Sequence, residues 1–277
     1  MPKSETIITL VTFIYGLAVI LYIASWVFKK TLPGRLATGA MIAGAAGNAA
    51  GFLLRWVESH QMGYGYVPLS NLYESLVFFA LAMAVIYLFV EFRYQVRSIG
   101  AVASLVPFLA MAYASLPSVE SEIQPLIPAL QSNWLIAHVM TCFLGYAAFA
   151  IACAISIMYL LRSASKNPET GLVSVFPDAE TMDELTHQMI AFGFLLLSIG
   201  IITGAIWADQ AWGRYWGWDP KETWSLITWL IYATLLHARL MRGWTGKRIA
   251  FLSCLGFAAV LFTYFGVNLL PGLHSYQ

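Results

Sequence analysis

The chain has 277 residues, of which 60% are hydrophobic and only 10% charged, against roughly 45–50% and about 25% in an ordinary soluble domain. Lipid is therefore the solvent for most of it, and a net charge of +1 leaves no basic patch for nucleic acid once the membrane-flanking charges are set aside. All three cysteines fall in apolar runs and no CxxC or CxxCH occurs, which excludes a thioredoxin-type motif and a c-type haem attachment site within the chain itself.

A helix needs about 20 apolar residues to cross the hydrocarbon core. The first such run, about 7–28, has no small-residue cleavage pattern after it and ends in Lys29 and Lys30, so it reads as a retained helix. Seven more follow at about 36–55, 71–91, 98–115, 133–161, 186–206, 222–241 and 249–270. The fifth is long enough to tilt or to project from the bilayer. Cys142 and Cys153 lie on it eleven residues apart, roughly 16 Å by helical rise, too far to pair. No repeat or low-complexity linker interrupts the series. The expectation is an all-α, polytopic transmembrane helical bundle of about eight spans, with residues 1–277 forming a single membrane domain.

Orientation follows from the positive charges, because Lys and Arg in short flanking loops stay in the cytoplasm. Alternate loops hold Lys29, Lys30 and Arg35, then Arg93 and Arg97, then Arg162 and Lys166, then Arg239, Arg242, Lys247 and Arg248. The opposite side has only Lys3, Arg55, Arg214 and Lys221, four of the fifteen. Both termini are therefore expected outside, together with the loops at 56–70, 116–132 and 207–221.

The stretch from Trp207 to Trp229 contains six of the ten tryptophans, where an even spread would place about one. A membrane-interface belt explains any single one of them. Six on one connection call for more. Trp212, Trp216 and Trp218, with Tyr215 and the small spacers Gly213 and Gly217, would make a flat aromatic surface that a planar ligand could approach closely. Asp219 and Pro220 fit the cap and first position of the next helix. Arg214 and Lys221 are the only positive charges in the loop; they suit the propionates of a porphyrin, and equally suit snorkelling to lipid phosphate.

Five histidines are separated by depth. His138 lies five residues into the fifth helix, roughly 7 Å below its outer end. His274 follows the last helix on the same side, so the two can meet at one height beside the tryptophan loop. Two imidazoles facing each other across a porphyrin make a six-coordinate haem; the alternative for each is a helix-packing residue. His237 is fifteen residues past Glu222, roughly 22 Å inward. It is either an interfacial residue near Arg239 or half of a second, inner site. His60 and His187 read as ordinary loop or interfacial residues.

These same residues carry a family likeness. WGRYWGWDPKETWSLITWLIYATLLHARL resembles the signature of CcsA/ResC-type cytochrome c biogenesis proteins, members of a haem-handling superfamily with a WWD domain. PLSNLYESLVFF at 68–79, NWLIAHVMTCFLGYAAFA at 133–150 and GLHSY at 272–276 agree as well. The likeness runs from about residue 65 onward; residues 1–64 match by hydropathy only. The loop departs from the stricter WWD pattern in having Tyr215 where that pattern has Trp.

The resemblance implies a haem exporter and half of a cytochrome c synthase, or haem lyase, paired with a CcsB/ResB-like membrane subunit. Its substrates would be haem b and an apocytochrome c bearing CxxCH. The family's external haem ligands fall on His138 and His274 and its intramembrane histidine on His237, with the inner site's second ligand coming from the partner. Trp212, Tyr215, Trp216, Trp218 and Asp219 belong to the haem-facing WWD loop; Arg214 and Lys221 rest on chemistry alone. No acid, base or nucleophile of the chain itself is required. The membrane implied is a bacterial plasma membrane or a thylakoid. Two other functions fit parts of the pattern: a haem-delivery protein that passes haem to a chaperone without synthase activity, and a quinone or small-molecule transporter whose aromatic loop is only a belt.

Overall fold

A computed structural model of the chain describes residues 3–270. Among them are eight long helices and no strand: α1 Lys3–Phe28, α2 Thr31–Gln61, α3 Leu72–Tyr94, α4 Arg97–Ala114, α5 Asn133–Ala164, α6 Ala179–Trp212, α7 Pro220–Arg242 and α8 Lys247–Tyr264. α4 is assembled from a 3-10 turn and two short α-helical pieces that meet at Ser104. The eight apolar runs thus become eight helices, most of them a few residues longer than the runs, because backbone hydrogen bonding continues past the hydrocarbon boundary into capped ends.

Seven of the eight are long and apolar enough to cross a membrane; α7 is not among them. Its sequence explains the exception. Lys221, Glu222, Arg239 and Arg242 sit in its end turns, and Thr223, Ser225, Thr228, Thr234 and His237 interrupt its apolar face.

The described residues pack as two compact units. One holds residues 3–131 together with Glu169–Pro177; the other holds Ser132–Pro168 and residues 178–270. The first contains α1–α4 and the second α5–α8.

In the first unit, two polar knots lie in an apolar interior. Arg55, placed by its position in the sequence among the flanking outer charges, is instead only 1% exposed. Its Nε donates to Glu74 Oε1 at 2.8 Å, its Nη2 donates to the Ser121 carbonyl at 2.7 Å, and its guanidinium lies 5.0 Å from the centre of the Tyr73 ring. Glu74 Oε2 accepts from both the amide and the hydroxyl of Ser70. The SNLYES segment therefore ties the start of α3 to α2 and to the 116–132 connection. At the other knot, Glu91 accepts from Tyr22 and Tyr87 on one oxygen and from Thr38 and Arg97 on the other. Both carboxylates are nearly solvent-free, and such groups are tolerated only when paired and fully hydrogen-bonded.

In the second unit, α5 and α6 approach through small residues. A Cβ added to Gly145 would lie 3.0 Å from the Gly193 carbonyl oxygen, and one added to Gly200 would lie 2.5 Å from Cys142 Sγ. Without side chains between them the backbones come close, as in small-residue packing between membrane helices. α7 is fastened to this pair by Tyr232, whose ring stacks on Phe149 at 3.6 Å, and to α8 by a Thr228–Thr263 hydroxyl contact of 3.1 Å.

α6 begins at a strong cap: Asp178 accepts from the amide and the hydroxyl of Thr181, both at 2.8 Å. The Thr181 amide, and then its hydroxyl, hold the Asp178 carboxyl below the usual carboxylate range. A depressed folded-state value means that this contribution is complete above the unfolded value, near 3.9, and is lost as pH falls through the folded one. Asp178→Ala is expected to cost about 1 kcal/mol locally. The measurement is the hydrogen-exchange protection of the first turn of α6, relative to the unstructured rate at each pH, which should fall at neutral pH in the variant and no longer decline on acidification.

Candidate functional site

The site is built at one end of the second unit, where α5 begins, α6 ends and α7 begins. α6 terminates at Gly213 with φ 71°, in the left-handed region that glycine enters without strain. The loop then runs six residues to the cap of α7. Asp219 Oδ1 accepts from the Lys221 amide at 2.9 Å, and Glu222 reaches back, its Oε2 accepting from the Asp219 amide at 3.1 Å. This is a reciprocal capping box with Pro220 in the first turn. The same Glu222 oxygen also accepts from the Gly217 amide at 2.7 Å. One carboxylate thus fixes the loop on both sides of Trp218.

Trp218 is itself unusual. It has φ 57°, a conformation that costs a bulky residue free energy, and its side chain is 69% exposed. Its ring meets Trp216 edge to face at 5.7 Å. Arg214 folds over the loop; a Cβ on Gly217 would fall 2.7 Å from its Cζ.

His138 projects from α5 toward α6. Its Nδ1 lies 2.7 Å from the Gly200 carbonyl oxygen. A carbonyl can only accept, so Nδ1 carries the proton and Nε2 carries the lone pair, the tautomer in which a histidine ligates through Nε2. Two neighbours hold the ring in that pose. Trp207 stacks on it with 6.1 Å between centroids and 17° between planes, and Gly204 leaves the space that the imidazole fills, since a Cβ there would sit 2.5 Å from Nδ1. Cys142 Sγ is 3.7 Å from the same nitrogen.

Next to His138 is a cavity of about 160 Å³. Its polar lining includes His138, Trp216, Lys221, Glu222, Ser225 and Tyr264, and its apolar lining includes Val139, Ile201 and Ala208. Of the residues singled out by sequence, His138, Tyr215, Trp216 and Lys221 meet at this cavity. Trp212 packs edge-on to Trp207 at 4.9 Å and so stands one residue behind His138. Trp218, Arg214 and Asp219 are loop and cap residues that do not line it.

His237 is elsewhere, on an exposed stripe of α7 that also carries Leu230, Thr234 and Met241. It points away from the interior of its unit. His274 lies outside the described residues.

Three positioning residues escaped the sequence reading. Gly204 was signalled by the G-I-I-T-G spacing of Gly200 and Gly204, a small-residue packing pattern. Glu222 was signalled as the third residue after an Asp cap. Trp207 was counted with the loop, although it is 3% exposed and belongs to the support of His138.

The likeness seen in the sequence is borne out by comparison. The family model of the Cytochrome C assembly protein matches residues 69–274. Cytochrome c biogenesis protein CcsA of Guillardia theta is 43% identical over 80% of this chain and 79% of the relative. That of Microcystis aeruginosa is 39% identical over 88% of both, and that of Pyropia yezoensis 38% identical over 97% and 96%. Among solved structures, Cytochrome c Heme Lyase CcmF superimposes with a TM-score of 0.73 at 18% identity, covering 98% of this chain and 47% of that one. The chain thus spans about half the length of that protein, and the likeness is one of fold. By sequence, from Leu69 through the tryptophan loop and beyond, the chain belongs to the cytochrome c assembly protein family, alongside the CcsA proteins.

Proposed function

We propose that the chain moves haem b through a bacterial plasma or thylakoid membrane, with both of its termini on the outer side, and presents it there for covalent attachment to an apocytochrome c. The observation that carries this reading is His138: an imidazole locked into the Nε2-ligating tautomer, backed by Trp207 and set beside Trp216 and Tyr215. Iron is what such a nitrogen is suited to hold. His274 is the second ligand by family likeness, and the tryptophan loop, including Trp218 and Trp212, supports the porphyrin.

His237 serves an inner site shared with a CcsB/ResB-like subunit. Its exposure on α7 supports this, because an outward-facing histidine has access to a neighbouring chain. Haem is held there first and then at the outer site. The apocytochrome brings the histidine and two thiols of its CxxCH. Each S–H adds across a haem vinyl, sulfur to the carbon next to the ring and hydrogen to the terminal carbon, so the reaction consumes no oxidant. The chain contributes positioning, which is a large part of the rate of a two-partner reaction.

The test is the absorption spectrum of the purified chain with its partner, for wild type, His138→Ala, His274→Ala and His237→Ala. Wild type should carry six-coordinate haem, each outer variant should lose that coordination, and His237→Ala should lower total haem. Colourless wild-type protein would support the transporter alternative. Outer variants with unaltered six-coordinate spectra would end the ligand assignment.

A further inference from the structure

Two donors beside the cavity next to His138 have no acceptor among the described residues. Trp216 Nε1 is buried and makes no hydrogen bond, and among the described residues Lys221 forms no ion pair. Two of the acceptors nearby are committed elsewhere. Glu222 is taken by the amides of Gly217 and Asp219, and the Ser225 hydroxyl donates to the Glu222 carbonyl at 2.7 Å. An ammonium and an indole N–H beside one small cavity, neither of them hydrogen-bonded among the described residues, complement a monoanion with two oxygens.

Size and lining narrow the anion. About 160 Å³ is comparable to a cavity of roughly 150 Å³ that accepts a benzene ring. That is room for a carboxyethyl arm and too little for a porphyrin ring. Apolar walls at Val139, Ile201 and Ala208 suit the two methylenes of such an arm. A phosphate would demand more donors than the two present.

We infer that this cavity receives one propionate of haem, its carboxylate held between the Lys221 ammonium and the Trp216 indole N–H. The inference rests on the proposed haem-binding function and adds an orientation to it. With the carboxylate edge turned inward, the opposite edge of the porphyrin, which bears the vinyls, faces away from the cavity. Arg214, the other candidate cation, does not line the cavity and folds over Gly217 instead.

The experiment titrates the full-length purified protein with haem and with haem dimethyl ester, whose propionates are blocked, following the absorption spectrum. Wild type is expected to bind haem about tenfold or more tightly than the ester. Lys221→Met and Trp216→Phe should each reduce that preference while keeping the six-coordinate spectrum, Lys221→Met to within about threefold. Arg214→Met should keep the wild-type preference. A six-coordinate wild type indifferent to esterification overturns the inference alone, and is also the result expected if a lipid phosphate fills the cavity. Loss of preference in Arg214→Met with retention in Lys221→Met overturns it too. A wild type without six-coordinate haem instead overturns the parent function, and the inference with it.

Discussion

Replacing Glu74 by alanine is expected to destabilise the first helical unit by about 3–5 kcal/mol. The Arg55 guanidinium would remain buried at 1% exposure, having lost its 2.8 Å partner, while Nη1 already lacks an acceptor. Uncompensated burial of a charge is among the few single changes able to cost this much. In a chain of this length the shift in Tm is on the order of 10 °C, measurable by thermal unfolding of the detergent-solubilised protein. Removing both charges together, as Arg55→Met with Glu74→Leu, should recover most of the loss, because the pair contributes little once the cost of its desolvation is counted. A single variant that melts within a degree or two of wild type would show that water reaches Arg55.

Gly204→Ala is the second large effect, and it falls on binding. The new methyl group would stand 2.5 Å from His138 Nδ1, and the atom it meets belongs to a ring stacked against Trp207. The imidazole must turn, and the 2.7 Å bond to the Gly200 carbonyl is lost with it. Breaking an outer hydrogen bond of a metal-ligating histidine costs about 10–100-fold in affinity. Haem titration should show that loss, together with a change in coordination. Gly256→Ala is the control: there the added Cβ meets the Tyr232 ring, at 2.7 Å, so packing between α8 and α7 suffers away from His138. Equal haem affinity in wild type and Gly204→Ala would mean that His138 does not ligate iron.

How much of this was legible beforehand follows from the physics of each feature. The eight helices were readable because transfer to lipid is decided by composition over a window. The 222–241 run was counted with the other seven spans; it does form a helix, but the charged ends and hydroxyl-bearing residues of α7 lower its mean hydropathy while leaving its helical hydrogen bonding intact. His138 was readable from depth alone, and the Asp219-Pro220 cap from local chemistry. The cavity was not, because it forms from Gly204, Lys221 and Tyr264 on three different helices. Arg55 was misplaced because a sliding window cannot distinguish a cation that snorkels from one that meets Glu74 nineteen residues away.

The double grip of Glu222 links the motions of the tryptophan loop. Its single oxygen holds the amide just before Trp218 and the amide just after it, and Trp216 adjoins the first of these. The exposed indole and the half-buried one are therefore hinged on a common pin. Displacement of Trp218 must pull on the same oxygen that steadies Trp216 at the cavity wall, so a push at the loop surface reaches the cavity through two hydrogen bonds.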